Sequence, residues 1–203
     1  MPAEGRAKVV VVAGPSGSGK SRLSRRLGLP VLNLDDFYKD GDDPSLPCID
    51  IAGGAPIIDW DSPASWNAQD ALAAIELLCR EGRADVPTYD IATSRRTGHH
   101  LLDLAGSRHF VAEGIFAQEV VAETRRRGLL ADAVCLTQHP VVTFLRRLSR
   151  DLREHRKPPF VLVRRGLHLL VEQRRVVAHA EALGCRVLHP DEAYAQIRAL
   201  SRA

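Results

Sequence analysis

Short apolar runs alternate along the chain with longer stretches in which apolar positions recur every three to four residues. A run with no polar position is read as a strand buried on both faces, and a stretch with helical spacing as a helix covering it. The alternation therefore predicts βα units around a parallel sheet. Strands are expected at Lys8–Ala13, Pro30–Leu34, His109–Glu113, Ala133–Thr137 and Cys185–His189. Helices are expected at Gly19–Leu27, Pro63–Cys79, Gln118–Arg127, Val141–His155, Val163–Leu183 and Asp191–Ser201. The clearest is Pro63–Cys79, where Ser62 can cap, Pro63 suits a first turn, and Trp66, Leu72, Ile75 and Leu78 recur at helical spacing.

Two regions break this rhythm. Asp40–Asp61 is rich in Gly, Pro and Asp and reads as a long loop, which in a compact fold is more often functional than accidental. Asp85–Ser107 carries the turn signals Thr97-Gly98 and Ala105-Gly106 and reads as short strands or a hairpin inserted into the α/β core.

Composition narrows the picture further. A chain of 203 residues suits one α/β domain, so 1–203 is read as a single domain, and 45% hydrophobic with 26% charged residues is ordinary globular composition. The net charge of +3 is spread over arginines interleaved with acids. No nucleic-acid partner is expected from such a pattern, whereas small anionic ligands suit it. Cys48, Cys79, Cys135 and Cys185 form no CxxC pair, which argues against a zinc site or a disulfide framework and for a reducing, cytoplasmic setting. No signal-length or membrane-length apolar stretch is present, so neither secretion nor membrane insertion is expected.

The chemistry begins where the first strand ends. Ala13–Ser21 reads AGPSGSGKS, a complete G-x-x-x-x-G-K-S phosphate-binding loop between a strand and a helix. Such a loop turns backbone amides around phosphate oxygens at a helix N-terminus. The set expected to hold a nucleotide is Gly14, Ser16, Gly17, Ser18, Gly19, Lys20, Ser21 and Arg22, with Lys20 neutralising phosphate and the Ser21 hydroxyl offered to Mg²⁺. By itself the loop leaves a GTPase, a motor ATPase or a small-molecule kinase open. The absence of an NKxD guanine signature lowers the first reading, and the chain's length disfavours the second.

Asp35 and Asp36 follow the second strand, at the sheet edge where α/β proteins bind ligands. A carboxylate there can take a proton from an attacking hydroxyl or help to hold Mg²⁺, and it can equally be a loop or helix cap. Trp60-Asp61 and the Tyr89, Asp90, Arg96 group join flat rings to carboxylates, as a nucleoside site requires; taken singly, Trp60 is equally a core residue and Asp61 a helix-entry charge. Glu113 ends an apolar strand, as a metal-assisting acid would. Arg146, Arg150 and Arg153 share one helix face and read either as a solvated surface or as a lid over the transferring phosphate.

Together these residues resemble the uridine kinase family of P-loop kinases, the uridine-cytidine kinases included. The matching pieces are GPSGSGKS, Asp35-Asp-Phe-Tyr38, Trp60-Asp-Ser-Pro63 where the family has Phe-Asp-His-Pro, Pro87-x-Tyr-Asp90 with Arg96, Glu113-Gly-Ile115, and the arginine-rich segment around Arg146–Arg156. The resemblance implies an α/β P-loop kinase fold of three layers with a hairpin insert at about 85–107 and a helical lid at about 146–157. It further implies ATP or GTP as donor with Mg²⁺ at Ser21, Glu113 and Asp35, and phosphorylation of the 5′-hydroxyl of uridine or cytidine. Asp35 would be the base facing the acceptor hydroxyl and Asp61 the holder of ribose hydroxyls. Tyr38, Trp60, Tyr89, Ser94 and Arg96 would line the acceptor pocket, and Lys20, Arg150 and Arg153 would balance charge during transfer. A homo-oligomer is compatible with the resemblance. The family pattern Tyr-Asp-Phe-x-x-His-x-Arg becomes Tyr89-Asp90-Ile91-x-x-Ser94-x-Arg96, which loses an aromatic wall and the histidine facing the base. That departure keeps two other readings open: a kinase for another small alcohol, as in pantothenate kinase and phosphoribulokinase, and a nucleotide-binding regulatory module.

Overall fold

Val9 to Ala13 are wholly buried, as a strand with no polar position requires. In the computed structural model of the chain, which describes residues 7–50, 55–138 and 174–201, this run forms the centre of the sheet. In chain order the strands are β1 (Lys8–Ala13), β2 (Val31–Asn33), β3 (Cys48–Ile49), β4 (Ile57–Ile58), β5 (Arg83–Asp90), β6 (Arg95–Asp103), β7 (His109–Glu113), β8 (Leu130–Leu136) and β9 (Arg186–Leu188). Five of these make one parallel sheet in the order β2-β7-β1-β8-β9.

Alternation along β1 divides the core in two. Val9, Val11 and Ala13 face the layer containing α2 (Ala68–Glu81), the 3₁₀ turn Ala117–Val120 and the helical residues 174–182. Val10 and Val12 face α1 (Lys20–Leu27) and the helix Pro190–Leu200, which pack through Leu23, Leu27, Ala193 and Ile197. The result is a three-layer α/β fold. Each fully buried Val or Leu contributes about 1.5–3 kcal/mol of transfer free energy, so the two faces together fix where β1 ends and where the loop after it begins.

The strands expected from sequence recur at the expected places, with shifted ends. β8 begins at Leu130 rather than Ala133 because Ala131 is an extra residue in its register with β1, and Asp132, polar in a strand, is neutralised by Arg186 of β9 at 2.5 Å. The helix expected over Pro63–Cys79 is broken. Ser62 and Pro63 start a 3₁₀ turn, Pro63–Ser65, in which the Ser62 hydroxyl accepts the Ala64 N–H (3.3 Å); Trp66 is then extended, and α2 begins at Ala68. The cause is tertiary. The Trp66 indole N–H donates to the Leu34 carbonyl (2.7 Å), while the Lys39 and Asn67 amides bond to Ser65 and Phe37 carbonyls (3.0 and 2.9 Å), and a continuous helix would withdraw those groups. The helix expected at Gln118–Arg127 is likewise divided, into the 3₁₀ turn and α3 (Val121–Arg126). Of Val163–Leu183, residues 174–182 are helical; Val141–His155, with Arg146, Arg150 and Arg153, lies outside the described residues.

The inserted segment is an antiparallel hairpin of β5 and β6, and β3 with β4 forms a small pair within the long loop. The hairpin is held to the chain after β2. Tyr89 and Arg96 amides donate to the Asp36 and Asp40 carboxylates (3.2 and 2.7 Å), the Gly41 amide donates to the Ser94 carbonyl (2.7 Å), and Arg95 pairs with Asp42 (2.7 Å). Among the described residues no helix is long and apolar enough to cross a membrane.

The cysteines divide by burial. Burial pushes the thiols of Cys79 and Cys135 up to about 11 and that of Cys185 to about 12, whereas Cys48 is exposed. Only a thiolate attacks a disulfide reagent. At pH 8 the folded protein is therefore expected to react rapidly with Ellman's reagent at Cys48 alone and with all four cysteines in guanidinium; a second fast native thiol would refute the assignment.

Candidate active site

The phosphate-binding loop leaves β1 with Gly14 at φ 139°, Gly17 at 84° and Gly19 at 101°, backbone conformations that side chains resist. At Gly14 space is closed as well, since a Cβ would stand 2.7 Å from the Leu136 carbonyl oxygen and 2.9 Å from Ser18 Oγ. The loop closes on itself through the Ser18 N–H to Pro15 carbonyl bond (3.1 Å), and Lys20 Nζ donates to the Gly14 carbonyl (2.8 Å). Ser18 is buried, its hydroxyl without a protein partner among the described residues. Gly19 caps α1, so the helix's first amides and Ser21 stand at the loop.

Asp35 reaches the same place from β2. Leu34–Phe37 forms a 3₁₀ turn whose first amide is capped by the Asn33 side chain (Asp35 N–H to Oδ1, 3.3 Å). Asp35 Oδ1 accepts the Ile115 N–H from the chain leaving β7 (2.8 Å). That approach depends on Gly114, where a Cβ would lie 2.8 Å from Leu34 Cβ and 2.9 Å from Asp35 Oδ1. The two adjacent aspartates thus separate in role. Asp36 faces away, accepting from Tyr89 N–H and from Asn33 Nδ2 (2.9 Å), and its burial raises its pKa above the usual carboxylate value despite those bonds.

The loop and Asp35 line one open cleft of about 590 Å³ together with Ser21, Arg22, Arg25, Tyr38, Trp60, Tyr89, Ile91, Ser94 and Ile115. One wall is aromatic: Tyr38 lies 5.9 Å from Trp60, edge-on, and 5.8 Å from Tyr89 and from Phe116. The Tyr38 hydroxyl donates to the Trp60 carbonyl (3.3 Å) and that of Tyr89 to the Lys39 carbonyl (3.1 Å). Burial raises both phenols, and the carboxylates of Asp35 and Asp61 raise Tyr38 further, so both rings are neutral donors at ordinary pH.

The expected site residues are not all brought together. Ser16, Gly17, Gly19, Lys20, Ser21, Arg22, Asp35, Tyr38, Trp60, Tyr89 and Ser94 share the cleft. Glu113 lies behind it, its Oε2 accepting the Ser24 hydroxyl of α1 (3.0 Å). Asp61 is exposed outside the lining, near enough to act on Tyr38, and Arg96 points to Asp70 of α2 (3.8 Å). Ser94 adopts a left-handed backbone (φ 52°) at the hairpin turn. Sequence reasoning missed Arg25 and gave Ile115 no part in the site beyond the Glu113-Gly-Ile115 match. Arg25 had a readable signal, its position four residues after Ser21 on the same helix face.

The chain is 30% identical over 169 residues to the uridine kinase of Deinococcus deserti, an alignment spanning 78% of this chain and 75% of that protein. It is 28% identical over 158 residues to inorganic pyrophosphatase TTM2 of Arabidopsis thaliana, where the match covers 74% of this chain but only 21% of the plant protein. In structure it is similar to a protein assigned as a fructose transport system kinase from Silicibacter sp. TM1040, with a TM-score of 0.59, 17% identity, and coverage of 94% of this chain and 91% of that one. No family model matches the chain.

The tight approach at Gly114 is testable. Gly114→Ala is expected to fold, by circular dichroism, and to bind nucleotide, while displacing Asp35 and lowering phosphoryl-transfer turnover about tenfold to a hundredfold. Unchanged turnover would mean that Asp35 tolerates the displacement or is not at the chemistry.

Proposed function

From the chain's membership of the uridine kinase family, a family of P-loop kinases, we propose that it transfers the γ-phosphoryl group of ATP, with Mg²⁺, to the hydroxyl of a small molecule held against Asp35. The observation that carries this reading is that Asp35 and the phosphate-binding loop line one cleft, at the carboxyl ends of β2 and β1, the two strands that flank β7 in the sheet. The residues present suit both groups. Three glycines with positive φ and Lys20 make an anion cradle that no side chain at Gly14 would permit, and Ser21 with Asp35 offers the oxygen donors that Mg²⁺ prefers. Bound there, ATP supplies the transferable group and Mg²⁺ the charge that draws electrons from it.

The chain's own residues then have distinct tasks. Loop amides and Lys20 orient the phosphates. The free oxygen of Asp35 takes the proton of the acceptor hydroxyl as its oxygen forms a bond to the γ-phosphorus, the bond to the β-phosphate oxygen breaks, and ADP leaves. Ile115 N–H holds the other carboxylate oxygen so that the base keeps one orientation. Arg150 and Arg153 are proposed to close over the transferring group. Glu113, bonded to Ser24, orients α1 beneath Ser21 and assists the metal through solvent.

A nucleoside 5′-hydroxyl, that of uridine or cytidine, is the acceptor implied by the family, and the wall of Tyr38, Trp60 and Tyr89 supports a flat ring there. A second reading, another small alcohol, is favoured by Ile91 in the cleft and by Arg96 turning to Asp70. Either acceptor puts the same demand on Asp35. Asp35→Asn is expected to bind ATP with wild-type affinity by calorimetry and to lose turnover by about a hundredfold or more in a coupled assay of ADP release; turnover within about threefold of wild type would remove Asp35 as the base.

A further inference from the structure

Five arginines of α1 and β6 differ in how their charge is used. Arg26 closes on Asp191 (2.7 Å) and lies over the Tyr194 ring (4.3 Å), Arg95 pairs with Asp42 (2.7 Å), and Arg96 pairs with Asp70 (3.8 Å). Arg22 and Arg25 have no carboxylate in contact among the described residues. Arg22 feels Asp191 only at longer range, and Arg25 spends its Nε on the Ser21 carbonyl (3.1 Å), which leaves the terminal nitrogens of its fork unbonded to the described residues. The two stand three residues apart on α1, hence on one face, and both line the cleft.

The acceptor end of the cleft is poor in groups that would read a neutral base or sugar. The Tyr89 hydroxyl is spent on the Lys39 carbonyl (3.1 Å), Ile91 is apolar, and Asp61 lies outside the lining. Asp35 is the sole carboxylate among the lining residues, against the cations Lys20, Arg22 and Arg25. Lys20 and the loop amides already serve the donor phosphates. A second anion brought beside a triphosphate would be repelled unless further cations stood next to it, and a guanidinium fork matches the two oxygens of a phosphate or carboxylate.

Resting on the phosphoryl-transfer reading, we propose that Arg25, together with Arg22, which the sequence alone assigns to the nucleotide, forms an anion-binding wall that holds a phosphate or carboxylate carried by the acceptor alcohol, so that the preferred acceptor is anionic. Arg25 is the specificity-determining residue of the pair, because its guanidinium is steadied by Ser21 at the edge of the phosphate site.

The test is an initial-rate panel with ATP and Mg²⁺ on the full chain, comparing uridine, cytidine and glycerol with ribose 5-phosphate, glycerol 3-phosphate and pantothenate. One anionic alcohol is expected to exceed every neutral one in kcat/KM by about tenfold or more. Arg25→Gln should then raise the KM of that alcohol about tenfold or more while moving the KM of ATP by less than about threefold, and Arg25→Lys should recover part of the loss. Turnover of uridine or cytidine above all the anionic alcohols, with their KM values insensitive to Arg25→Gln, would overturn the inference and leave phosphoryl transfer standing. A loss confined to the KM of ATP would assign the wall to the donor and overturn it too. ATP binding without transfer to any of the six alcohols would refute the transfer reading itself, and the inference with it.

Discussion

A chain that leaves a buried strand and must surround a phosphate has to turn its amides inward at once, and only glycine allows it. At Gly14 the left-handed backbone and the contacts with Leu136 and Ser18 leave no room for a Cβ, so the loop is packed against β8 as tightly as it is bent. Everything else in the site is placed relative to that turn. β1 is fixed by burial on both faces, α1 starts where the loop ends, and β2 and β7 deliver their own carboxyl-end residues to the same edge of the sheet. The family's three-layer arrangement thus follows from one strand's position.

The second organising contact is the neighbouring pair Asp35 and Asp36. Consecutive residues in a tight 3₁₀ turn point in different directions, so one carboxylate is presented to the cleft and the other is half-buried against the hairpin. Burying Asp36 costs solvation, which its raised pKa records, and the bonds from Tyr89 and Asn33 offset that cost. In return the hairpin that carries Tyr89, Ile91 and Ser94 is tied to the turn that carries Asp35. Bonds from Arg96 to Asp40, from Arg95 to Asp42 and from the Gly41 amide to the Ser94 carbonyl, together with the Arg96–Asp70 pair, strengthen the link.

Much of this was legible in the chain. The strands β1 and β7 have the bounds their apolar runs implied, because a strand buried on both faces tolerates no polar residue until it ends. The glycine-rich loop was equally plain, since its φ requirements restrict the residue type directly. The helix over Pro63–Cys79 was misread: the period through Trp66 was helical, but Trp66 takes an extended conformation to give its indole N–H to a carbonyl 32 residues earlier. Periodicity reports which side chains are buried, and it carries no information about which backbone groups a distant turn will claim. The start of β8 was missed for a related reason, since Asp132 reads as the end of a strand unless Arg186 of β9 is known to meet it.

The sequence by itself therefore determined the βα units around a parallel sheet, the phosphate-binding loop and the candidacy of Asp35, because each depends on local steric limits or on burial that shows in residue type. Only the tertiary structure decided which of two adjacent aspartates enters the cleft, that Arg96 is spent on Asp70 and that Asp61 lies outside the lining. It also decided that Arg22 and Arg25 face the cleft without an acidic neighbour among the described residues. Whether a charge is available to a ligand depends on what the fold has already set beside it, and those neighbours lie dozens of residues away along the chain.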